Sequence, residues 1–302
     1  MARVCIVGSD GQLGFDLSRE FKSAGHDVTD WTHADIEITD RASVTAAFAA
    51  AAPEVVVNTA ALNVETSELD PAKAFAINAL GARELAAAAA RDVRLVQIST
   101  DYVFDGTKGT PYVETDITGP LNAYGVSKLA GEHFVLAADG RNIVIRSSGL
   151  YGEHGCKAKN GMNFVTTMLA LAADRDQLSV VNDEALSPTF TRDLATQIVA
   201  LVDRSELSGI FHATAHGGPT WFEFASAIFE LADVQIDVWP TSGAEYSKEA
   251  DNSILRPANT SLENARLSKA GVDLMRPWRD QLADYLVAIG RRGGGEQSTV
   301  DR

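Results

Sequence analysis

Tyr124 and Lys128 stand four positions apart in a segment with helical character. Residues at this spacing lie on one face of an α-helix, one turn from each other. A free phenol has a pKa near ~10, and a neighbouring lysine cation favours the phenolate and lowers that pKa. The pair is therefore a candidate proton-transfer device for a carbonyl substrate, provided that the chain also binds a hydride carrier. Without that carrier, the spacing fits two residues on a solvated helix face equally well.

The start of the chain predicts a dinucleotide site. Val4–Val7 is a short apolar run, typical of a strand buried on both faces. A turn with glycines at 8, 11 and 14 follows, and then an amphipathic segment, which is the strand–turn–helix context of a dinucleotide fingerprint. The spacing is Gly-x-x-Gly-x-x-Gly, and the alternative is a tight turn without a ligand. The cofactor contacts that we expect in this turn are Gly8, Gly11, Gln12 and Leu13.

Further cofactor contacts are predicted at the ends of the next strands. Asp30 ends the second predicted strand, about 20 residues after the first glycine, where an acidic side chain accepts hydrogen bonds from the adenosine ribose. It is equally an ordinary solvated carboxylate. Small residues after the third strand suit the close approach of a flat cofactor. The other expected cofactor contacts are Asp35, Ile36, Asn58, Ala60, Ala61 and Ser99, together with Tyr124 and Lys128.

Strands alternate with helices in the first half of the chain, which predicts an α/β fold with a Rossmann-type, doubly wound parallel sheet. We expect residues 1–148 to form the NAD(P)-binding domain, with returning segments within about 178–214. Residues 149–177 and 215–290 are predicted to form a smaller C-terminal substrate-binding lobe. Within that lobe 242–257 reads as a loop, and 291–302 reads as a disordered tail.

The bulk composition excludes several classes of function. The 302 residues carry a formal net charge of −15, which argues against nucleic acid and anionic membranes as partners. Two cysteines supply neither a disulfide framework nor a cysteine zinc site, and no metal site is predicted. The N-terminus does not read as a signal peptide, and no apolar run reaches the ~18 residues of a membrane span. The sequence therefore predicts a cytoplasmic protein.

Taken together, the glycine turn, Thr100 at the end of the fourth strand, and the Tyr124–Lys128 pair resemble the extended short-chain dehydrogenase/reductase superfamily. The resemblance implies a catalytic role for three residues. Thr100 would hydrogen-bond the substrate carbonyl, and Tyr124 would protonate its oxygen as hydride arrives. Lys128 would hold the nicotinamide ribose and lower the pKa of Tyr124.

Longer motifs are similar to the dTDP-4-dehydrorhamnose reductase family over nearly the whole chain. They are Gly-x-x-Gly-Gln-Leu-Gly at 8–14, Asn-Thr-Ala-Ala at 58–61, Ser-Thr-Asp-Tyr-Val-Phe-Asp-Gly at 99–106, Tyr-Gly-x-Ser-Lys-x-x-Gly-Glu at 124–132, Ser-Pro-Thr-x-x-x-Asp-Leu at 187–194, Arg-Pro-x-Asn at 256–259 and Pro-Trp-Arg at 277–279. The resemblance implies reduction of a 4-keto group on a dTDP-linked 6-deoxyhexulose by NADPH or NADH, giving dTDP-L-rhamnose. It also implies a homodimer, sugar-nucleotide contacts at Tyr102, Asn163 and Arg256, and in some members magnesium, for which this sequence shows no ligand set.

Tyr102 separates reaction types within the superfamily. Sugar-nucleotide dehydratases carry Thr-Asp-Glu after the fourth strand, whereas this chain has Thr-Asp-Tyr at 100–102, which lacks the base for elimination. Gly149 stands where the reductases usually have Trp near the sugar, and the 64–68 segment and the loop through Cys156 and Lys159 also depart from the family. Two alternatives stay open: an epimerase that retains NAD, and a non-catalytic NAD(P)-binding subunit like the regulatory subunit of methionine adenosyltransferase.

Overall fold

The computed structural model describes residues 1–89, 93–155, 160–249 and 254–291. In chain order its strands and helices are β1 (Arg3–Val7), α1 (Gln12–Ser23), β2 (Asp27–Trp31), α2 (Arg41–Ala51), β3 (Val55–Asn58), α3 (Val64–Leu69), α4 (Pro71–Ala74), a π-helical segment (Phe75–Gly81), α5 (Ala82–Ala89), β4 (Arg94–Thr100), a 3₁₀ turn (Asp101–Val103), α6 (Ala123–Ala138), β5 (Ile143–Ser147), β6 (Leu150–Tyr151), α7 (Phe164–Asp174), β7 (Gln177–Val181), β8 (Thr189–Phe190), α8 (Thr191–Val202), β9 (Gly209–His212), α9 (Trp221–Leu231), β10 (Asp237–Thr241), α10 (Gly243–Glu249), α11 (Ala265–Ala270) and α12 (Trp278–Ala288).

A six-stranded sheet of order β2-β1-β3-β4-β5-β9 forms the centre of the molecule, and every pairing in it is parallel. After β1 the chain forms β2 on one side of β1 and then β3 on the other side. Ligands of such sheets bind outside the carboxyl ends of the strands where the order reverses. Here that position lies between β1 and β3, and the parallel α/β architecture predicted from the sequence is confirmed.

Alternate residues of the strands feed a separate core on each face of the sheet. On one face Ile6, Val57 and Ile145 pack with apolar residues of α1 and α8. On the other face Cys5 and Val56 pack with residues of α2, α5 and α6. Because successive side chains of a strand point to opposite faces, near-continuous apolar runs such as Val4–Val7 are what a sheet covered on both sides requires.

A third, aromatic core lies in the C-terminal half of the described chain. The two-stranded parallel sheet of β7 and β10 packs with α7, α9 and α12 around Tyr151, Phe190, Phe224 and Tyr285. Of the strands predicted within 178–214, β9 joins the six-stranded sheet, whereas β7 pairs with β10.

Three local predictions need correction or fall beyond the described ranges. The predicted loop at 242–257 contains α10, which follows β10 directly. The loop that departs from the family pattern contains Cys156 and Lys159, which lie outside the described residues. The predicted tail beyond Arg291 also lies outside them. Across the ranges that the structure describes, no helix is both long and apolar enough to cross a membrane.

Candidate active site

The glycine turn is built so that only glycine fits at two of its positions. Gly8 has a φ of +77°, and a Cβ there would lie 2.7 Å from Thr59 Oγ1. A Cβ on Gly14 would lie 2.1 Å from the carbonyl oxygen of Gly8, so that α1 packs directly on the turn. Gly11 is the N-cap of α1, and no side chain caps the helix there. Free N–H groups at a helix start favour an anion, and a pyrophosphate suits this position.

Two cavities meet at this turn and share Gly8, Asp10, Ala60 and Ala61. The first, which we call the catalytic cavity, has a volume of about 440 Å³, and the second, the adenosine cavity, about 430 Å³. Besides the shared residues, the catalytic cavity is lined by Gly11, Gln12, Leu13, Thr59, Ile98, Ser99, Tyr124, Lys128, Gly149, Leu150, Met162, Asn163, Phe164 and Trp221. The adenosine cavity is lined by Val7, Thr32, His33, Ile36, Glu37, Ile38, Thr39, Lys73, Ala76 and Ile77. A dinucleotide with its pyrophosphate at the glycine turn would place one half in each cavity.

Helix α6 brings Tyr124 and Lys128 to the catalytic cavity. Its N-cap is Asn122, whose side chain accepts a hydrogen bond from Gly125 N. A Cβ on Gly125 would lie 2.2 Å from the carbonyl oxygen of Tyr102, so glycine lets the helix start against the 3₁₀ turn. The Thr100 hydroxyl interacts with that of Tyr124 and favours its ionised form. Lys128 Nζ donates to the carbonyl oxygen of Ile98 at 2.6 Å.

Burial dominates the electrostatics of this pair. Burial raises the pKa of Tyr124 above its ordinary value, and the nearby Thr100 hydroxyl opposes that rise. Burial also lowers the pKa of Lys128 to about 8, against the opposing effect of Glu132. Burial thus outweighs the groups that lower the pKa of Tyr124, and a lowering by Lys128 stays a prediction. Tyr124 is held as a neutral phenol, which is the form that can donate a proton.

Behind Thr100, Tyr124 and Lys128, two buried carboxyl groups bind side chains at the ends of the strands. Glu132 of α6 forms an ion pair with Arg146 of β5 at 2.7 Å and accepts from Ser99 Oγ at 2.5 Å. Asp101 follows Thr100 and is surrounded by hydroxyl groups. Its Oδ1 lies 2.9 Å from Thr100 Oγ1, and Ser148 Oγ donates to its Oδ2 at 2.6 Å. Burial raises the pKa of Asp101.

The three predicted substrate contacts occupy different places. The ring of Tyr102 packs edge-on against Tyr124, with centroids 5.8 Å apart. Arg256 Nη1 donates to the Tyr102 hydroxyl at 3.1 Å, and its Nη2 donates to Glu65 Oε1 at 3.0 Å. Asn163 lines the catalytic cavity, but it caps α7 and its amide donates to Gly152 O and the Tyr285 hydroxyl. Its polar atoms are thus already engaged within the protein.

Most of the predicted cofactor residues line the two cavities, but three do not. Asp30 is directed away from both, because side chains alternate along β2, and its carboxylate pairs with Lys22 at 2.7 Å. The carboxylate of Asp35 accepts from the amide and the hydroxyl of Thr32 and so closes the turn after β2. Asn58 is buried, donates to Gln97 Oε1 and accepts from Ala60 N.

The sequence interpretation missed an aromatic wall on the far side of the catalytic cavity. Trp221 reads as a core residue, yet it lines the cavity and packs against Phe164 with ring centroids 4.5 Å apart. Gly149 has a φ of +55°, and a Cβ there would lie 2.7 Å from Leu186 Cδ1. A large side chain therefore does not fit at 149 without a shift, and the aromatic side chains among the described lining residues are those of Tyr124, Phe164 and Trp221.

Ile36 was predicted at the adenosine cavity, but several of its other lining residues escaped prediction. Thr32 and His33 follow β2 directly and line that cavity, and Lys73 reaches it from α4. A search one or two positions past the end of β2 would have found the first two, whereas Lys73 is brought in only by the fold. Within the described ranges, no cluster of three or more His, Cys, Asp or Glu side chains could hold a metal ion.

Comparison with known proteins gives the family. The family model described as RmlD substrate binding domain matches residues 2–290. A dTDP-4-keto-6-deoxy-D-glucose reductase of Streptomyces niveus is 40% identical over 286 residues, which cover 93% of this chain and 95% of that protein. The chain belongs to the dTDP-4-dehydrorhamnose reductase family.

Members of the dTDP-4-dehydrorhamnose reductase family with known sequence or structure align with nearly the whole chain. The dTDP-4-dehydrorhamnose reductase of Streptomyces griseus is 38% identical over 300 residues, 97% of this chain and 95% of that protein. The crystal structure of dTDP-4-dehydrorhamnose reductase from Bacillus anthracis in complex with NADP superimposes with a TM-score of 0.88 at 34% identity, covering 95% of this chain and 99% of that one. The resemblance inferred from the motifs is thus confirmed.

Proposed function

We propose that this protein reduces the 4-keto group of a dTDP-linked 6-deoxyhexulose with NADPH or NADH, converting dTDP-4-dehydrorhamnose to dTDP-L-rhamnose. The observation that carries the proposal is that Tyr124 and Lys128 line a cavity that begins at the glycine turn, with the Thr100 hydroxyl acting on that of Tyr124. Two donors that converge next to a dinucleotide site suit a carbonyl oxygen that gains a proton. The named activities of the family members support the same reaction.

The two cavities fit the cofactor. The glycine turn and the uncapped start of α1 would hold the pyrophosphate, and Thr32 and Ile36 border the adenosine half. When bound, the nicotinamide ring supplies the hydride. Lys128, close to Ser99 in the catalytic cavity, would donate to the neighbouring ribose hydroxyls.

In this proposal the protein's own residues carry the proton. The neutral phenol of Tyr124 donates its proton to the carbonyl oxygen, and Thr100 donates a hydrogen bond to the same oxygen, which stabilises the developing negative charge. Residues 1–148 would bind the cofactor, while 149–177 and 215–290 would bind the sugar nucleotide. Trp221 and Phe164 border the cavity from that second part of the chain. A homodimer and a cytoplasmic location remain predictions.

The test is oxidation of NADPH and of NADH, followed by absorbance, with dTDP-, UDP- and GDP-linked 4-keto-6-deoxyhexuloses. We expect turnover with the dTDP sugar and an alcohol at C4 in the product. Absence of turnover with every sugar would overturn the proposal. Cofactor that stays bound through purification, with no net oxidation, would favour the epimerase. Co-purification of a synthetase with no reductase activity would favour the regulatory subunit.

A further inference from the structure

Asp101 is the buried carboxyl group that the mechanism above leaves without a role. Its side chain is 4% exposed. Its side chain hydrogen-bonds the hydroxyls of Thr100 and Ser148, the Thr260 hydroxyl also favours its ionised form, and no ion pair joins it to a Lys, Arg or His among the described residues. A buried carboxylate without a cation is costly, so such a group tends to take up a proton.

The hydrogen-bond partners of Thr100 indicate which protonation state of Asp101 leaves the Thr100 hydroxyl able to donate. A threonine hydroxyl has one hydrogen and two acceptor sites. Tyr102 N donates to Thr100 Oγ1 at 3.2 Å and fills one acceptor site. Among the described residues, the remaining hydrogen-bond neighbour of this hydroxyl is Asp101 Oδ1 at 2.9 Å.

An ionised Asp101 can only accept, so it would take the single hydrogen of Thr100. The hydroxyl would then have nothing to donate to a substrate carbonyl. A protonated Asp101 reverses this arrangement, because its own hydrogen fills the second acceptor site of Thr100. The Thr100 hydrogen is then free to point at the carbonyl oxygen beside Tyr124.

The other oxygen of Asp101 is consistent with the protonated form. Ser187 N donates to Ser148 Oγ at 3.2 Å, and Ser148 Oγ donates to Asp101 Oδ2 at 2.6 Å. A neutral Asp101 that keeps Oδ2 as the acceptor of Ser148 carries its hydrogen on Oδ1, facing Thr100. Thr260 Oγ1 lies 3.2 Å from the carbonyl oxygen of Ala185, which gives its own hydrogen another acceptor.

We propose that Asp101 works as a neutral carboxylic acid whose hydrogen bond turns the Thr100 hydroxyl into a donor for the substrate carbonyl. Asp101 is thus a positioning residue, and this role rests on the proposed reduction. Burial raises its pKa, in agreement with the neutral form. The titratable groups that face it are the phenols of Tyr102 and Tyr124, and its charge, if present, would raise both of their pKa values. The charged neighbours Arg256 and Glu184 face Tyr102.

The test compares two replacements of similar size. Asp101→Asn keeps an accepting oxygen for Ser148 and places an N–H donor toward Thr100, whereas Asp101→Leu can do neither. We expect Asp101→Leu to lower kcat by about 10²-fold, as loss of one carbonyl-stabilising donor does. Asp101→Asn should lower kcat by less than about 10-fold. Thr100→Val gives the baseline, and adding Asp101→Leu to it should cost little more. Thermal unfolding and NADPH binding, measured for each variant, identify any general loss of structure.

A second measurement does not depend on turnover. The infrared difference spectrum of wild type minus Asp101→Asn at neutral pH should contain the C=O stretching band of a protonated carboxylic acid. A carboxylate band in its place would overturn the inference, as would an Asp101→Asn variant that is folded, binds NADPH and is as slow as Asp101→Leu. If wild type itself reduces no ketosugar, the proposed function fails, and the infrared band still decides the protonation of Asp101.

Discussion

Arg146 and Glu132 form an ion pair at 2.7 Å that is almost completely buried, with 3% and 2% of the two side chains exposed. The pair joins β5 to α6 directly behind the catalytic cavity, and Ser99 of β4 donates to the same carboxylate. Glu132 lies two turns after Tyr124 on α6, and the Lys128 side chain lies between them on the same helix face. The ion pair thus fixes the helix that carries the proton donor against the strands that carry Thr100.

Glu132→Gln should strongly destabilise the protein, because it leaves the guanidinium of Arg146 buried without its counter-ion. Breaking one partner of a buried pair costs about 3–5 kcal/mol in the free energy of unfolding. Urea unfolding followed by circular dichroism measures the change. Glu206→Gln is the matched control, because Glu206 pairs with Arg204 at 2.7 Å on the surface and the loss should stay within about 1 kcal/mol. Equal losses in the free energy of unfolding would mean that the buried pair contributes no more to stability than the surface pair.

Reductase activity should decrease as the pH rises through about 8. The pKa of Lys128 is lowered to about 8 by burial, so above that pH its amino group becomes neutral and no longer favours the charge that develops beside it. The profile of kcat/KM against pH reports groups of the free enzyme. Lys128→Arg keeps a cation at every accessible pH and should move the decrease to higher pH, even if the rate is lower. An unchanged profile in that variant would assign the decrease to another group.

Much of the fold could be predicted from the sequence, because local patterns determine it. The apolar run Val4–Val7 and the glycine turn after it predict a parallel sheet with a dinucleotide site at its edge; the parallel sheet occurs, and a cavity lies at the glycine turn. Tyr124 and Lys128 lie on one helix, so their relative position followed from their spacing alone. Thr100 ends β4, the strand next to that helix, as the strand prediction implied.

The structure differs from the sequence interpretation where a residue's position depends on contacts between distant segments. Asp30 has the expected spacing after the glycines, but the alternation of β2 directs it to Lys22. Trp221 has the pattern of a core residue and reaches the cavity only because α9 packs beside α7. The raised pKa of Tyr124 depends on how deeply the ring is buried, and no spacing of residues reports that.

Gly14→Ala should weaken cofactor binding. A Cβ at this position would lie 2.1 Å from the carbonyl oxygen of Gly8, so the glycine turn and α1 must move apart where the pyrophosphate would bind. We expect the Kd for NADPH, measured by quenching of protein fluorescence, to rise at least about 10-fold, which corresponds to ~1.4 kcal/mol. Gly140→Ala is the control, since a Cβ there meets nothing within 4 Å. Unchanged affinity in Gly14→Ala would place the dinucleotide elsewhere.

Tyr124→Phe should separate chemistry from binding. Loss of the phenolic hydroxyl removes the proposed proton donor, and general-acid catalysis is worth about 10²–10⁴-fold in rate. The Kd for NADPH should change little, because the ring still fills its place against Tyr102. Tyr112→Phe is the control: its hydroxyl donates to Asp105 at 2.7 Å, in the loop that follows the 3₁₀ turn. A Tyr124→Phe enzyme with near-normal kcat would remove Tyr124 from the mechanism.

Arg256→Gln should raise the KM for the sugar nucleotide and leave the Kd for NADPH unchanged. Arg256 lines neither the catalytic nor the adenosine cavity, but its guanidinium touches the Tyr102 hydroxyl, whose ring packs on Tyr124. Interactions with Tyr102 and Glu65 raise its pKa, so it stays a cation throughout the working range. If the diphosphate of the substrate approaches Tyr124 from this side, its oxygens would replace the Glu65 carboxylate as the partner of the Arg256 guanidinium.

The loss of one charge-assisted hydrogen bond is worth about 1.5–3 kcal/mol, so KM should rise about 10–100-fold while kcat changes little. Glu65→Gln is the informative partner variant, because it removes the carboxylate that competes for the guanidinium at 3.0 Å. Its KM should stay the same or decrease. If both variants raise KM equally, the ion pair serves to hold α3 in place, and Arg256 does not bind the substrate. If Arg256→Gln instead weakens NADPH binding, its influence reaches the cofactor and the placement of the diphosphate is wrong.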